Sequence, residues 1–200
     1  GFRLRDVAAG SDFIAPEGRP TAEGGTVRWQ GISESLGLEV TAEYRALCDC
    51  VRVDGEVRDL RGEERAVSVY FAVPVGGEVL TWWDDVRTGR AVEGEGEYAN
   101  LAYGGAGATG NHSKYPLGCV TGENQGYAIG VPLDTPALMR IGYQAAVGEL
   151  YVAYDFGLTQ PATKQPGRAA FSFVLYGGEG DRCTFDPKWG LRAALKKYYD

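Results

Sequence analysis

The feature that most constrains this chain is an alternation of apolar and polar residues that recurs in one segment after another. Successive side chains of a β-strand point to opposite faces, so this alternation predicts strands that each bury one face. The alternating segments are residues 26–30, 36–44, 48–53, 56–60, 78–83, 126–131, 138–144, 149–156 and 168–176. Glycine, at 30 of 200 residues, supplies turns between them. We therefore predict an all-β fold, an antiparallel two-sheet sandwich.

Two further patterns refine this prediction. Residues 65–73 are almost all apolar or β-branched, which indicates a central strand buried on both faces and ended by Pro74. Asp54 and Gly55 lie between two alternating segments, and Asp-Gly is a strong signal for a type I′ turn. The sequence therefore predicts a hairpin at Asp54-Gly55.

Length and charge limit the classes of function. A chain of 200 residues indicates one domain whose core needs neither a metal nor a disulfide to fold. The net charge of −7 repels phosphate backbones, so no nucleic-acid partner is expected. No run of about 18 apolar residues is present, so we expect no membrane span. The chain opens at Gly1 without a start methionine, and we expect a mature or excised piece of a longer precursor, secreted or displayed on the cell surface.

A helical pattern is confined to the end of the chain. Asp186 is a favourable N-cap, and Pro187 suits the first helical position. An apolar stripe with helical spacing follows, formed by Leu191, Ala194, Leu195 and Tyr198. We predict a β-sandwich domain over residues 1–185 and a short C-terminal helix over residues 186–200. The helix is expected to link this domain to a following one.

The four cysteines do not indicate a metal site. Cys48 and Cys50 share one face of a predicted strand and are poorly placed to pair with each other. Cys119 and Cys183 lie far away in sequence, and the C-x₂₋₄-C spacing of zinc sites is missing. We predict no metal and no cofactor. Buried thiols, or one disulfide from Cys48 or Cys50 to Cys119 or Cys183, both stay open.

A glycine-rich segment imitates a nucleotide-binding motif. Gly105, Gly107 and Gly110 match G-x-G-x-x-G, but a dinucleotide site needs a helix directly after the glycines. Asn111 follows instead of a lysine, and Pro116 comes soon after, without helical periodicity. We predict a surface loop.

The single histidine, His112, follows that loop. Neither a G-x-S-x-G elbow nor a nucleophilic cysteine signature accompanies it, so no catalytic triad is predicted. A solvated loop histidine is the simplest interpretation. Together with Lys114 and Tyr115, however, His112 is suited to hydrogen bonding with a polar ligand, and we predict these three residues as saccharide contacts.

The tetrapeptide Trp82, Trp83, Asp84 and Asp85 is the other candidate binding segment. On a strand, Trp82 and Trp83 point to opposite faces, so one ring fills the core and the other lies beside a carboxylate. An aromatic ring stacks on a sugar, and carboxylates accept hydrogen bonds from its hydroxyls. The alternative interpretation is two packed tryptophans and a turn begun by aspartates. Adjacent residues on a strand cannot straddle one glycosidic bond, so no catalytic pair is predicted.

Several segments together resemble a known module. They are residues 65–74 (RAVSVYFAVP), 82–85 (WWDD), 115–118 (YPLG), 129–134 (IGVPLD) and 186–199 (DPKWGLRAALKKYY). They are similar to the galactose-mutarotase-like supersandwich that precedes a (β/α)₈ barrel in multidomain glycoside hydrolases. The resemblance extends from about Leu36 onward and implies a supersandwich-like β-sandwich packed on a barrel. It also implies that the catalytic carboxylates lie in that barrel, so no catalytic residue is assigned here.

Three hypotheses follow. The first is a non-catalytic ancillary domain that binds or shapes a glycan site, with an oligosaccharide and a following barrel as partners. The second is an autonomous mutarotase-like or lyase-like enzyme, for which His112 with Asp84 or Asp85 would have to supply acid and base. The third is a structural or adhesive module that self-associates through sheet edges. The first agrees best with the resemblance.

Overall fold

A computed structural model describes residues 1–77, 79–159, 166–180 and 183–199 of the chain. Within these ranges it has sixteen strands and one α-helix. The strands are β1 (Phe2–Asp6), β2 (Glu17–Glu23), β3 (Thr26–Ser33), β4 (Leu38–Ala46), β5 (Val51–Asp59), β6 (Arg65–Pro74), β7 (Thr81–Trp83), β8 (Gly89–Ala91), β9 (Glu97–Ala99), β10 (Leu101–Tyr103), β11 (Asn111–Ser113), β12 (Leu117–Thr121), β13 (Gln125–Gly130), β14 (Met139–Gln144), β15 (Glu149–Leu158) and β16 (Arg168–Glu179). The helix is α1 (Gly190–Tyr199).

The strands form two large antiparallel sheets. One has nine strands in the order β2-β3-β4-β5-β16-β13-β12-β7-β8, and the other has five in the order β1-β6-β15-β14-β9. Strands β10 and β11 form a separate hairpin. The core lies between the two sheets and is filled by their inward side chains, among them Val40 of β4, Val69 of β6 and Phe173 of β16. The predicted all-β sandwich is confirmed.

The central strand β6 agrees with its sequence pattern and adds one detail. It spans Arg65–Pro74 and pairs with β1 on one side and β15 on the other. Tyr70 is only half-buried on the outer face of the sheet. Ala66 is exposed and Val73 is half-buried, so the prediction of complete burial on both faces is corrected at these three positions.

The predicted hairpin at Asp54-Gly55 is wrong. Both residues lie inside β5, which runs without interruption from Val51 to Asp59. The Asp54 carboxylate accepts hydrogen bonds from Arg52 and from the Ser172 hydroxyl, so it is held by side chains of its own sheet rather than by a turn. Gly55 lies beneath the ring of Phe171, where an added Cβ would come within 2.3 Å of a ring carbon. Close packing explains this glycine, and a turn does not.

The C-terminal helix packs on the outer face of the nine-stranded sheet. Asp186 caps a short 3₁₀ turn, Pro187–Trp189, by accepting a hydrogen bond from the Lys188 amide at 3.0 Å. Leu191 and Ala194 of α1 are then buried against β12 and β13. The apolar stripe is therefore covered within this chain. The predicted end at Asp200 lies outside the described residues, and the linker role of the helix stays a prediction.

Candidate functional site

Trp82 belongs to the core. It is 1% exposed and lies among the apolar side chains between the two sheets. An added Cβ at Gly118 would approach its ring to 3.0 Å, which shows how closely the indole is packed. The prediction that Trp82 faces a ligand is therefore corrected, because its ring fills space that the sandwich needs to fill.

Trp83 points to the opposite face and lies under the C-terminal helix. Its indole Nε1 donates to the Thr121 hydroxyl at 2.9 Å. Its ring lies against Gly190 at the start of α1, where a Cβ would come within 1.9 Å of the ring. Gly190 also has a φ of +46°, a conformation that favours glycine. Trp83 thus anchors the helix to the sheet rather than presenting a free stacking face.

The two aspartates hold the β7–β8 turn. Asp84 forms a bidentate ion pair with Arg90, with N–O distances of 2.5 and 2.8 Å. The Asp85 carboxylate accepts hydrogen bonds from the backbone amides of Arg87 and Thr88 at 2.7 and 2.8 Å. The Arg87 amide, more than any other contact, lowers the pKa of Asp85 below its ordinary value. The alternative interpretation, aspartates that build a turn, describes Asp85 well.

The second candidate segment is the hairpin of β10 and β11. His112 pairs with Ala102 across the hairpin, and the backbone of Gly104 lies against its imidazole. Its Nδ1 atom is buried without a hydrogen-bond partner among the described residues. Lys114 and Tyr115 follow the hairpin and are exposed, Tyr115 to 45%. These two side chains reach solvent as predicted.

The glycine-rich motif is the loop that closes this hairpin. Gly105, Gly107 and Gly110 all have positive φ values, between 67° and 75°. The amide of Gly104 donates to the carbonyl of Gly110 at 2.9 Å, and β11 follows directly. No helix begins after the glycines, so the dinucleotide interpretation fails on the geometry that it requires.

The two candidate segments meet at a residue that the sequence analysis did not single out. The Asn100 side-chain amide donates to the carbonyl of Trp83 at 3.2 Å. The Asn100 carbonyl accepts a hydrogen bond from the backbone amide of Lys114 at 2.9 Å. Asn100 therefore ties the β7–β8 turn to the segment after the hairpin. We call the surface formed by Asp84, Arg90, Asn100, Lys114 and Tyr115 the edge site.

Two tyrosines near the edge site were also missed. The guanidinium of Arg90 lies 5.2 Å from the ring centroid of Tyr98. The Tyr98 hydroxyl accepts a hydrogen bond from the Glu93 amide and donates one to the Glu93 carbonyl. Tyr103 is 82% exposed next to the glycine loop. Both tyrosines lie in strands of three residues, which are too short to show a period, so no sequence signal indicated them.

The described residues contain neither a metal-ligating cluster nor a membrane-spanning helix. No group of three or more histidine, cysteine, aspartate or glutamate side chains there is arranged to hold a metal ion. The same residues include no helix with the length and apolar character that crossing a bilayer requires.

All four cysteines carry free thiols in this structure. Cys119 is buried in the cluster under the helix, and burial raises the pKa of its thiol. Cys50 is half-buried, and burial is also the main cause that raises the pKa of its thiol. The structure thus has free thiols and not the disulfide, but the expected burial holds only for Cys119, and Cys48 is exposed.

Comparison with known proteins gives a likeness of fold only. No protein-family model matches the chain, and no curated protein sequence matches it. Among solved structures, a bacterial glucoamylase complexed with acarbose is similar over all of this chain and 28% of its own length, with a TM-score of 0.51 and 10% identity.

Other similar structures have lower scores. A GH36 α-galactosidase, AgaB from Geobacillus stearothermophilus, has a TM-score of 0.48 and 11% identity over 90% of this chain and 30% of its own. The Slr1438 protein from Synechocystis sp. PCC 6803 has a TM-score of 0.43 and 9% identity, over 83% of this chain and 66% of its own. The chain thus spans less than a third of the length of the glucoamylase and the α-galactosidase. The glucoamylase likeness confirms the expected fold, a sandwich found as one part of a larger glycoside hydrolase.

Proposed function

We propose that this chain is a non-catalytic ancillary domain of a glycoside-hydrolase-like protein, secreted or on the cell surface, that binds a saccharide or shapes a saccharide site. The observation that carries the proposal is the junction at Asn100, which brings together the two segments chosen on residue chemistry alone. The fold shared with a part of a glucoamylase agrees with it.

The state of the carboxylates supports a binding role over a catalytic one. A glycoside hydrolase needs two carboxyl groups that face each other across the substrate. Asp84 is neutralised by Arg90, and Asp85 is engaged by two backbone amides. The mutarotase-like or lyase-like alternative would also use His112, whose half-buried imidazole lies against the backbone of Gly104. These groups are held in place by the turn and the hairpin.

The edges of the sheets disfavour the adhesive alternative. At one edge of the nine-stranded sheet, β2 is exposed throughout, but it includes Pro20 and three charged residues, Glu17, Arg19 and Glu23. At the other edge, β8 is only three residues long and includes Arg90. Short strands, proline and charge are the devices that prevent edge-to-edge pairing. We therefore expect a monomer.

Saccharide binding at the edge site is tested by a glycan array followed by calorimetry on the best ligand. In the double variant Lys114→Ala/Tyr115→Ala we expect about tenfold weaker binding, since a lost stacking face and a lost hydrogen bond together amount to about 1.4 kcal/mol or more. Both side chains are exposed, so the melting temperature should not change.

The matched control is Tyr199→Ala, which removes an exposed tyrosine of α1 outside the edge site. Its affinity should equal that of the unmodified chain. Equal affinity in the double variant, or the absence of binding to every glycan on the array, would refute the assignment of the edge site.

A further inference from the structure

A second surface, on the outer face of the five-stranded sheet, has the properties of a ligand site. It is a cavity of about 340 Å³ that draws side chains from all five strands. Its wall is formed by Arg3, Tyr70, Glu97, Arg140, Gln144 and Tyr151, and Phe13 and Val147 lie at its rim. The volume falls near the lower end of the range of about 300–1,000 Å³ found for small-molecule sites. We call it the sheet-face cavity.

Strand register places small residues on the sheet beneath the cavity. Ala72 and Ala153 face outward between the larger side chains, and both are almost fully buried. At Gly142, an added Cβ would come within 2.8 Å of the Tyr151 hydroxyl. The absence of a side chain at Gly142 therefore allows the Tyr151 ring to pack closely against the sheet. Tyr151 then stacks on Tyr70, with ring centroids 4.8 Å apart and planes 20° apart. The guanidinium of Arg3 lies over the ring of Tyr70, 5.5 Å from its centroid, so the pair presents its ring edges to the cavity above small residues.

The charges of the cavity are already paired within the protein. Arg3 binds Glu149 with two N–O contacts of 2.7 and 2.5 Å. Arg140 binds Asp155 at 3.2 Å, and both side chains are largely buried. The Tyr151 hydroxyl donates to Glu97. A charged ligand would have to break these pairs or remain uncompensated, and Glu97 would repel an anion.

Several polar groups of the cavity nevertheless lack a hydrogen-bond partner among the described residues. The Nε atom of Arg140 is buried without a hydrogen-bond partner, which is costly unless something else relieves it. Within the described part of the chain, the Tyr70 hydroxyl and the Gln144 side-chain amide form no hydrogen bond in this structure, although both line the cavity. Hydrogen-bond donors and acceptors thus lie together beside the stacked pair of Tyr70 and Tyr151.

We infer that the sheet-face cavity binds one neutral, hydroxyl-rich ring of a saccharide. Such a ring packs against the edge of the stacked Tyr70–Tyr151 pair and exchanges hydrogen bonds with the Tyr70 hydroxyl, the Gln144 amide and the guanidinium of Arg140. The paired charges remain undisturbed. No residue of this cavity belongs to the edge site, so the inference stands or falls separately from it.

The test is a titration of the ¹⁵N-labelled chain with methyl glycosides of glucose, galactose, mannose and xylose, followed by NMR. At least one glycoside should shift the amide signals of Ala72, Gly142 and Ala153. The double variant Tyr70→Phe/Gln144→Ala keeps the stacked rings and both ion pairs, and should bind that glycoside at least about tenfold more weakly. The charged counterpart, methyl glucuronide, should produce smaller shifts than the neutral glucoside.

The control variant is Tyr199→Phe, which removes a tyrosine hydroxyl on α1 and should bind as the unmodified chain does. No shift at the three amides with any of the four glycosides would overturn the inference. So would equal affinity in the double variant, or tighter binding of the glucuronide. Shifts confined to the amides of Lys114 and Tyr115 would support the edge site and refute the cavity.

Discussion

The edge site and the sheet-face cavity are both polar and aromatic, but they are assembled differently. At the edge site Asp84 and the adjacent Asp85 come from one short turn, and their carboxylates bind Arg90 and turn amides only a few residues away. In the cavity each strand contributes a side chain, and the partners are far apart in sequence, as with Arg3 and Glu149. The aspartates bind groups of their own turn, so Lys114 and Tyr115 are left to contact a ligand at the edge site. A surface assembled across strands keeps groups available for a ligand.

The largest expected effect is a loss of stability when Trp83 is removed. This residue lies beside the edge site and packs the sheet against α1. Trp83→Ala removes the ring between the sheet and α1 and should lower the free energy of unfolding by about 3 kcal/mol or more. Saccharide affinity measured on the folded fraction should change little. Chemical denaturation and calorimetry measure the two quantities separately. Lost affinity without lost stability would restore Trp83 to the binding surface.

The next effect compares the Arg–Asp pair of each region. Side-chain exposures are 14% and 8% for Arg140 and Asp155, against 48% and 23% for Arg90 and Asp84. Asp155→Ala leaves a buried guanidinium unpaired and should cost about 3 kcal/mol of unfolding free energy. Asp84→Ala breaks an exposed pair and should cost less than about 1 kcal/mol. Urea denaturation of the two variants would contradict the comparison if their costs were equal.

The smallest effect is a difference in titration. The hydrogen bond from Arg3 is the main cause that lowers the pKa of Glu149, whereas the Arg87 amide lowers the pKa of Asp85. Because the folded pKa of Glu149 is depressed, its contribution to stability is complete above the unfolded value of about 4.3 and is lost as the pH falls through the folded pKa.

The substitution Arg3→Met separates these two causes. It should raise the pKa of Glu149 and leave that of Asp85 unchanged, as followed by carboxyl-carbon NMR. A parallel shift at Asp85 would mean that the two regions are electrostatically coupled, contrary to the comparison.

The sequence was sufficient for the sandwich because long strands have clear apolar patterns: β4 buries one face along most of its length, and β15 is buried on both faces over residues 150–154. It failed at Asp54-Gly55, since a local turn signal does not contain the cross-strand contacts with Ser172 and Phe171 that hold β5 in the sheet. The alternating segment 149–156 likewise ends two residues before β15 does, since the strand continues to Leu158. Long-range pairing decides such positions.

The candidate sites were predictable to different degrees for the same reason. Lys114 and Tyr115 lie on the surface because a loop segment with polar neighbours usually does. Both Trp82 and Trp83 were kept as candidate contacts, because nothing in the tetrapeptide says which ring faces the core. The sheet-face cavity depends on register across five strands, as in the alignment of Arg3 with Tyr70 and of Ala72 with Tyr151, and no single segment carries that information.

The central claim is that this domain holds a saccharide and does not convert it. One sample tests it directly: the purified chain with maltotriose and raffinose, followed by saturation-transfer NMR while the anomeric signals are recorded over time. We predict saturation transfer to at least one sugar, with anomeric signals that match those of a protein-free sample throughout. New anomeric signals, faster interconversion of the maltotriose anomers, or no transfer to either sugar would contradict the account.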